Sequence, residues 1–134
     1  MATFLLDTTV IVDALNGRRG HEQLLLELLD QRNLLACCSI NVTEVYAGMR
    51  PHEATATEAL LRTFRFYEVT WEIARHAGKL KNQWAKKGHT IALPEVTIAA
   101  VALAHGLTLV TGNRGDFPMP ELRLLQFPDA STKE

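Results

Sequence analysis

A chain of 134 residues, 47% apolar and 22% charged, is long enough to bury one hydrophobic core and too short for two. Its formal net charge of −1 excludes a global basic field, so a nucleic-acid ligand would have to be attracted by local charge. The apolar runs break well short of the ~18 residues of a membrane span. Met1-Ala2-Thr3-Phe4-Leu5-Leu6-Asp7 lacks the basic start of a signal peptide and reaches a carboxylate too early; the expectation is a cytoplasmic protein with no membrane association.

Strand and helix signals alternate from end to end. Phe4-Leu5-Leu6 is an apolar run ending at Asp7, and residues 10–15 make a short helical segment stopped by Asn16-Gly17. A leucine-rich helix is expected over 21–32, then a second buried run over 34–38. Cys37 and Cys38 in that run read as reduced core residues, because strand neighbours are poorly placed to bridge and no ligand spacing accompanies them. Ser39 and Asn41 signal the start of a helix over 42–50, which Pro51 ends. Residues 53–64 form another helix and 66–69 a third apolar run. Thr70 caps a long helix that reaches Lys87 and stops at Gly88, while Pro94 suits the first turn of a helix closed after His105 by Gly106. Residues 107–110 and 122–126 are the fourth and fifth strands, and the chain from Phe127 onward is expected to fray. The domain is thus 1–127, with a flexible tail over 128–134. Buried strands separated by helices predict an α/β fold: a single-domain parallel sheet, five-stranded, with helices on both faces.

In such a sheet ligands bind beyond the carboxyl ends of the strands. Four carboxylates fall there from four separate segments: Asp7 after the first strand, Glu44 in the helix after the second, Glu95 beside Pro94, and Asp116, with Asn113, after the fourth strand. Taken singly, each has a purely structural explanation. Asp7 suits a helix cap, Asn41-x-x-Glu44 resembles a capping box, Glu95 complements a helix dipole, and Asp116 suits a turn. Taken together they describe an all-oxygen site. Clustered carboxylates resist ionisation without a counter-charge, and such donors suit Mg²⁺ or Mn²⁺ rather than zinc. The five histidines, His21, His52, His76, His89 and His105, are scattered and form no ligand pair. A divalent ion held by carboxylates can activate water and neutralise charge on a phosphodiester, so these residues point to a metal-dependent phosphodiesterase.

The same residues carry a family resemblance. Phe4-Leu5-Leu6-Asp7-Thr8-Thr9-Val10-Ile11-Val12-Asp13 resembles the opening of a PIN domain, particularly of the VapC-type toxins. Ser39-Ile40-Asn41-Val42-Thr43-Glu44-Val45-Tyr46-Ala47-Gly48 is similar to the second motif of that family, the stretch from Leu93-Pro94-Glu95 to Ala100 to the third, and the stretch from Leu109 through Thr111-Gly112-Asn113-Arg114-Gly115-Asp116 to Phe117 to the fourth. The resemblance covers nearly the whole chain, in order. It implies an acidic pocket binding Mg²⁺ or Mn²⁺, endonucleolytic cleavage of RNA, a homodimer, and neutralisation by the antitoxin of a type II toxin–antitoxin pair. Carried over, Asp7, Glu44, Glu95 and Asp116 are the catalytic, metal-site carboxylates and Thr111 and Asn113 the supporting polar residues. On this reading a metal-activated water attacks the RNA phosphodiester in line, with Asp7 a direct ligand and Asp116 further out. Transfer and ribosomal RNAs are both compatible substrates. One departure stands out: the family usually has aspartate where this chain has Glu95, and the extra methylene displaces the carboxylate by upwards of roughly 1 Å in a site whose metal is demanding of geometry.

Two surfaces suggest contacts. Ile73, Ala77, Leu80 and Trp84 recur at helical spacing toward the core, which leaves Arg75, Lys79 and Lys86 as a solvated basic side; Arg114, inside the fourth motif, is the better candidate for touching RNA phosphate. Leu24, Leu25, Leu26, Leu28 and Leu29 spread over roughly 200° of their helix at about 100° per residue, wider than one core face requires, and so offer a place for an antitoxin segment to dock. Two other readings compete. A receiver-type signalling domain needs an aspartate after the third strand and a lysine after the fifth, where this chain has Glu68-Val69-Thr70-Trp71 and Gln126-Phe127-Pro128. A catalytically inactive PIN-like binding module is favoured only by Glu95.

Overall fold

The structure is a computed structural model that describes residues 2–129. Five strands, β1 (Thr3–Leu6), β2 (Leu34–Cys38), β3 (Arg65–Tyr67), β4 (Thr108–Thr111) and β5 (Leu124–Gln126), make one parallel sheet in the order β3-β2-β1-β4-β5. Six helices, α1 (Thr8–Leu15), α2 (His21–Asp30), α3 (Ser39–Gly48), α4 (Ala54–Thr63), α5 (Trp71–Lys86) and α6 (Leu93–His105), connect them. The expected α/β architecture is the one observed.

Successive residues of the central strands serve opposite faces. Leu5, Ala36, Cys38 and Leu109 pack with Ile73, Ala77 and Leu80 of α5 and Val96 to Ala102 of α6. Leu6, Leu35, Cys37 and Val110 pack with Val10 and Ile11 of α1, Leu25 of α2, Val45 of α3 and Leu61 of α4. Covering both faces removes Leu5, Leu6, Leu109 and Val110 from water completely, at about 1.5–3 kcal/mol of stabilisation per large side chain. Both cysteines are free and buried, as expected, and burial pushes the Cys37 thiol up to about 11.

The expected helix ends hold where their chemistry is local. Thr70 Oγ1 accepts from the Ile73 N–H at 3.2 Å to start α5. Pro94 lies in the first turn of α6, and Gly106 ends that helix with a φ of 63°, a conformation side chains disfavour. The start of α3 differs. It begins at Ser39 rather than at residue 42, directly out of β2, because Asn41 bonds back to the Cys38 N–H at 2.7 Å. A 3-10 turn, Pro51–Glu53, precedes α4. The expected fraying from Phe127 is not seen at its start. Phe127 is buried and its N–H donates to Thr111 O at 2.8 Å, and Pro128 O meets His21 Nε2 at 2.6 Å. Gly112 lets this segment lie close, since a Cβ there would approach Asp129 Cβ to 3.3 Å. The rest of the expected tail, 130–134, lies outside the described residues.

On α2, only Leu25 of the five leucines is fully buried; Leu26 and Leu29 are 48% and 46% exposed. They line an apolar groove of about 710 Å³ with Leu15, Leu34, Leu60 and Phe64.

Candidate active site

The chain winds outward from β1 in both directions, to β2 and β3 on one side and to β4 and β5 on the other. The crevice between β1 and β4 is therefore the point where ligands enter such sheets. Asp7 stands there. Its N–H donates to Val110 O of β4 at 2.8 Å and its carbonyl accepts from the Val10 N–H at 3.0 Å, so the backbone is tied to the sheet as α1 begins. The carboxylate occupies the cap position without making the capping bond. Asp7 Oδ2 instead accepts from Thr111 Oγ1 at 2.9 Å.

Thr111 and Asn113, the polar residues of the fourth motif, are bonded to Asp7 and to their own loop. Thr111 Oγ1 also accepts from the Asn113 N–H at 3.0 Å, and Asn113 Oδ1 accepts from the Gly115 N–H at 3.1 Å. These bonds shape the 3-10 turn Arg114–Asp116 that presents Asp116. Gln126, unsuspected in the sequence, braces the same loop: Nε2 donates to Gly112 O at 2.6 Å and Oε1 accepts from the Arg114 N–H at 3.2 Å.

On the other side of Asp7 the proposed capping box of Asn41 and Glu44 gives way to a different network. Asn41, wholly buried, caps α3 itself and donates through Nδ2 to Leu6 O and to Thr8 Oγ1, each at 3.0 Å. Glu44 is thereby released from capping, and its Oε1 accepts from Thr8 Oγ1 at 2.6 Å. Thr8, the residue after Asp7, thus joins the second motif to the first. Only its place inside the opening motif hinted at this.

Asp7, Glu95 and Asp116 line one cavity of about 370 Å³, together with Asp13, Arg19 and Asn113. Glu95 and Asp116 also line a second cavity, of about 330 Å³, with His89 and Thr90. Glu44 lines a separate recess with Asn16 and Arg50 and reaches the group through its charge. Arg114 is exposed and stands outside the lining of the shared cavity. Burial pushes the Asp7 carboxyl up to about 6; the bonds from Thr111 and the Thr8 N–H pull it down, and the charges of Glu95 and Asp116 push it up. Burial likewise raises Glu95 above the usual carboxylate range, helped by Glu44 and Asp116.

Such a site fits a hard cation by its chemistry: every donor is a carboxylate oxygen, and two of the carboxyls are held in the protonated direction by burial and like charge, which a cation would relieve. Among the described residues no three His, Cys, Asp or Glu side chains already form a ligating group. Mg²⁺ commonly takes one or two protein carboxylates and keeps several waters, and the spread of Asp7, Glu95 and Asp116 around an open cavity is compatible with that mode.

The model of the PIN domain family matches residues 4–118. The chain belongs to the PIN domain family. This PIN domain is of the VapC type: it is 34% identical over 120 residues to Ribonuclease VapC19 of Mycobacterium tuberculosis, covering 89% of this chain and 96% of that protein. Among solved structures it is similar to VapBC2 from Rickettsia felis bound to a DNA fragment of its promoter, with a TM-score of 0.79 and 26% identity over 93% of this chain and 98% of that one. A toxin–antitoxin complex from Klebsiella pneumoniae matches with a TM-score of 0.76 and 28% identity over 94% and 97% of the two chains.

Proposed function

We propose that this PIN domain is a cytoplasmic, divalent-cation-dependent endoribonuclease, the toxin of a toxin–antitoxin pair. The observation that carries the reading is the convergence of Asp7, Glu95 and Asp116 on one cavity at the crevice between β1 and β4, in a chain whose relatives are VapC ribonucleases.

Asp7, Glu95 and Asp116 would hold Mg²⁺ or Mn²⁺, with Glu44 adding negative charge from behind Thr8. When bound, that ion supplies positive charge for the phosphodiester and activates water. The protein's own part is positioning. Thr111 holds Asp7 Oδ2, Thr8 holds Glu44, and Asn113 with Gln126 holds the loop that carries Asp116. Arg114, exposed on that loop, would meet the RNA backbone outside the cavity. Transfer or ribosomal RNA is the substrate class that the VapC resemblance implies. The apolar groove beside α2 is offered as the seat of the antitoxin, consistent with the toxin–antitoxin complexes of similar fold. The homodimer is carried over from the VapC resemblance.

The test is RNA cleavage with and without EDTA, and by Asp7→Asn. Loss of a direct ligand should cost at least about 100-fold, since even groups that only orient ligands cost 10–100-fold. Undiminished cleavage in either arm would overturn the mechanism. RNA binding without cleavage in both Mg²⁺ and Mn²⁺ would favour the inactive binding module that Glu95 suggests.

A further inference from the structure

The cavity lined by Asp7, Glu95 and Asp116 is also lined by a guanidinium, that of Arg19. Arg19 lies between α1 and α2 and shares the cavity with Asp7, Glu95 and Asp116. Its Nη1 donates to Asp13 Oδ2 at 3.0 Å. Asp13, 3% exposed, belongs to α1 and lines the same cavity.

The turn around Arg19 is held from several sides. The Arg18 N–H donates to Asp13 O at 2.8 Å and the His21 N–H to Arg18 O at 3.1 Å. Arg19 adopts a φ of 56°, in the left-handed region that residues with a Cβ occupy at a cost. His21 is wholly buried behind Asp13, with Nδ1 3.7 Å from Asp13 Oδ2 and Nε2 bonded to Pro128 O. Its ring packs edge-on against Phe127. The anchor of Arg19 is therefore itself anchored, on one side by α1 and on the other by the segment that follows β5.

An ion pair that merely closed a turn would need neither this support nor a place in the cavity wall. RNA entering a cavity lined by Asp7, Glu95 and Asp116 is repelled by each of them, and the chain's net charge of −1 provides no background attraction. A guanidinium carries five N–H donors in a planar fork suited to phosphate, so anchoring through Nη1 is compatible with a second acceptor.

We propose that Arg19 is a phosphate-binding residue of the active site, gripping the RNA backbone next to the scissile bond, with Asp13 as its positioning residue. The assignment rests on the ribonuclease reading.

The experiment is binding of a labelled single-stranded RNA by fluorescence anisotropy across a salt series, in the full chain carrying Asp7→Asn to suppress cleavage. Adding Arg19→Ala should weaken binding about 10-fold and flatten the slope of log affinity against log salt by about 0.7, the share of one phosphate contact on a single strand. Arg19→Lys should recover the slope and only part of the affinity, because the charge returns without the fork. A double change, Asp13→Asn with Arg19→Met, removes the buried charge together with its partner, so it tests the loss of the contact in a folded protein if the single variant fails to fold; it should bind as weakly as Arg19→Ala. Unchanged affinity and slope in either variant, while the parent chain cleaves RNA, would overturn the role of Arg19 and leave the ribonuclease reading standing. A parent chain that neither binds nor cleaves RNA would overturn both.

Discussion

Asp7 sits at 6% exposure beside two other acids, with a pKa near 6 in place of 3.8. Between those pH values the folded chain keeps the proton and the unfolded chain has lost it. The protonated carboxyl therefore contributes stability in acid that is lost as pH rises through about 6. In cation-free buffer, Asp7→Asn should be more stable than the parent at pH 7, by up to roughly 3 kcal/mol, with the difference shrinking toward pH 4. Urea unfolding in EDTA at the two pH values measures this; equal stability at pH 7 would mean that the carboxyl is not under the stress described. The four acids were legible in the sequence because each lies in a segment that follows a strand or opens a helix. Their supports were not. Thr8 meets Glu44 across 36 residues and Asn41 meets Leu6 across 35, and no local pattern distinguishes such a hydroxyl or amide from an ordinary capping group.

Among the elements, α2 shows how periodicity can be informative about a partner. Its leucines cover more of the helix than one core face uses, and the structure leaves Leu26 and Leu29 about half exposed on an apolar groove. Exposed apolar surface of this kind is where partners commonly dock, which motivates the proposed seat of the antitoxin. If the antitoxin docks there, Leu26→Lys should weaken its binding at least about 10-fold by placing a charge in the apolar groove, with RNA cleavage retained and thermal stability little changed, as expected of a surface position. Calorimetric titration of the antitoxin into parent and variant reads the difference, and equal affinities would remove the groove from the interface. In α3 the opposite lesson applies: the helix boundary moved by three residues because Asn41 spends its side chain on the Cys38 N–H and on β1, a choice made by tertiary neighbours.

At the scale of the molecule, the carboxylates of Asp7, Glu95 and Asp116 lining one cavity repel one another. A cation bound only by the folded state stabilises it by mass action, by about 2.7 kcal/mol at a hundredfold excess over its dissociation constant. Millimolar Mg²⁺ or Mn²⁺ should therefore raise the melting temperature at pH 7 by several degrees, and Asp7→Asn should abolish most of that shift. An identical shift in the variant would place the ion elsewhere.

By itself the sequence determined the alternation of buried strands and helices, the helix stops at Gly88 and Gly106, and the place of the acids in segments after strands or at helix starts, because hydrophobic period and cap chemistry act over a few residues. Only the tertiary structure decided that β1 and β4 are neighbours, that Glu44 is bound to Thr8 while Asp116 shares a cavity with Asp7, and that Arg19 and Asp13 belong beside them. Those relations depend on the order of strands in a parallel sheet, where residues more than a hundred positions apart, such as Asp7 and Thr111, come within one hydrogen bond of each other.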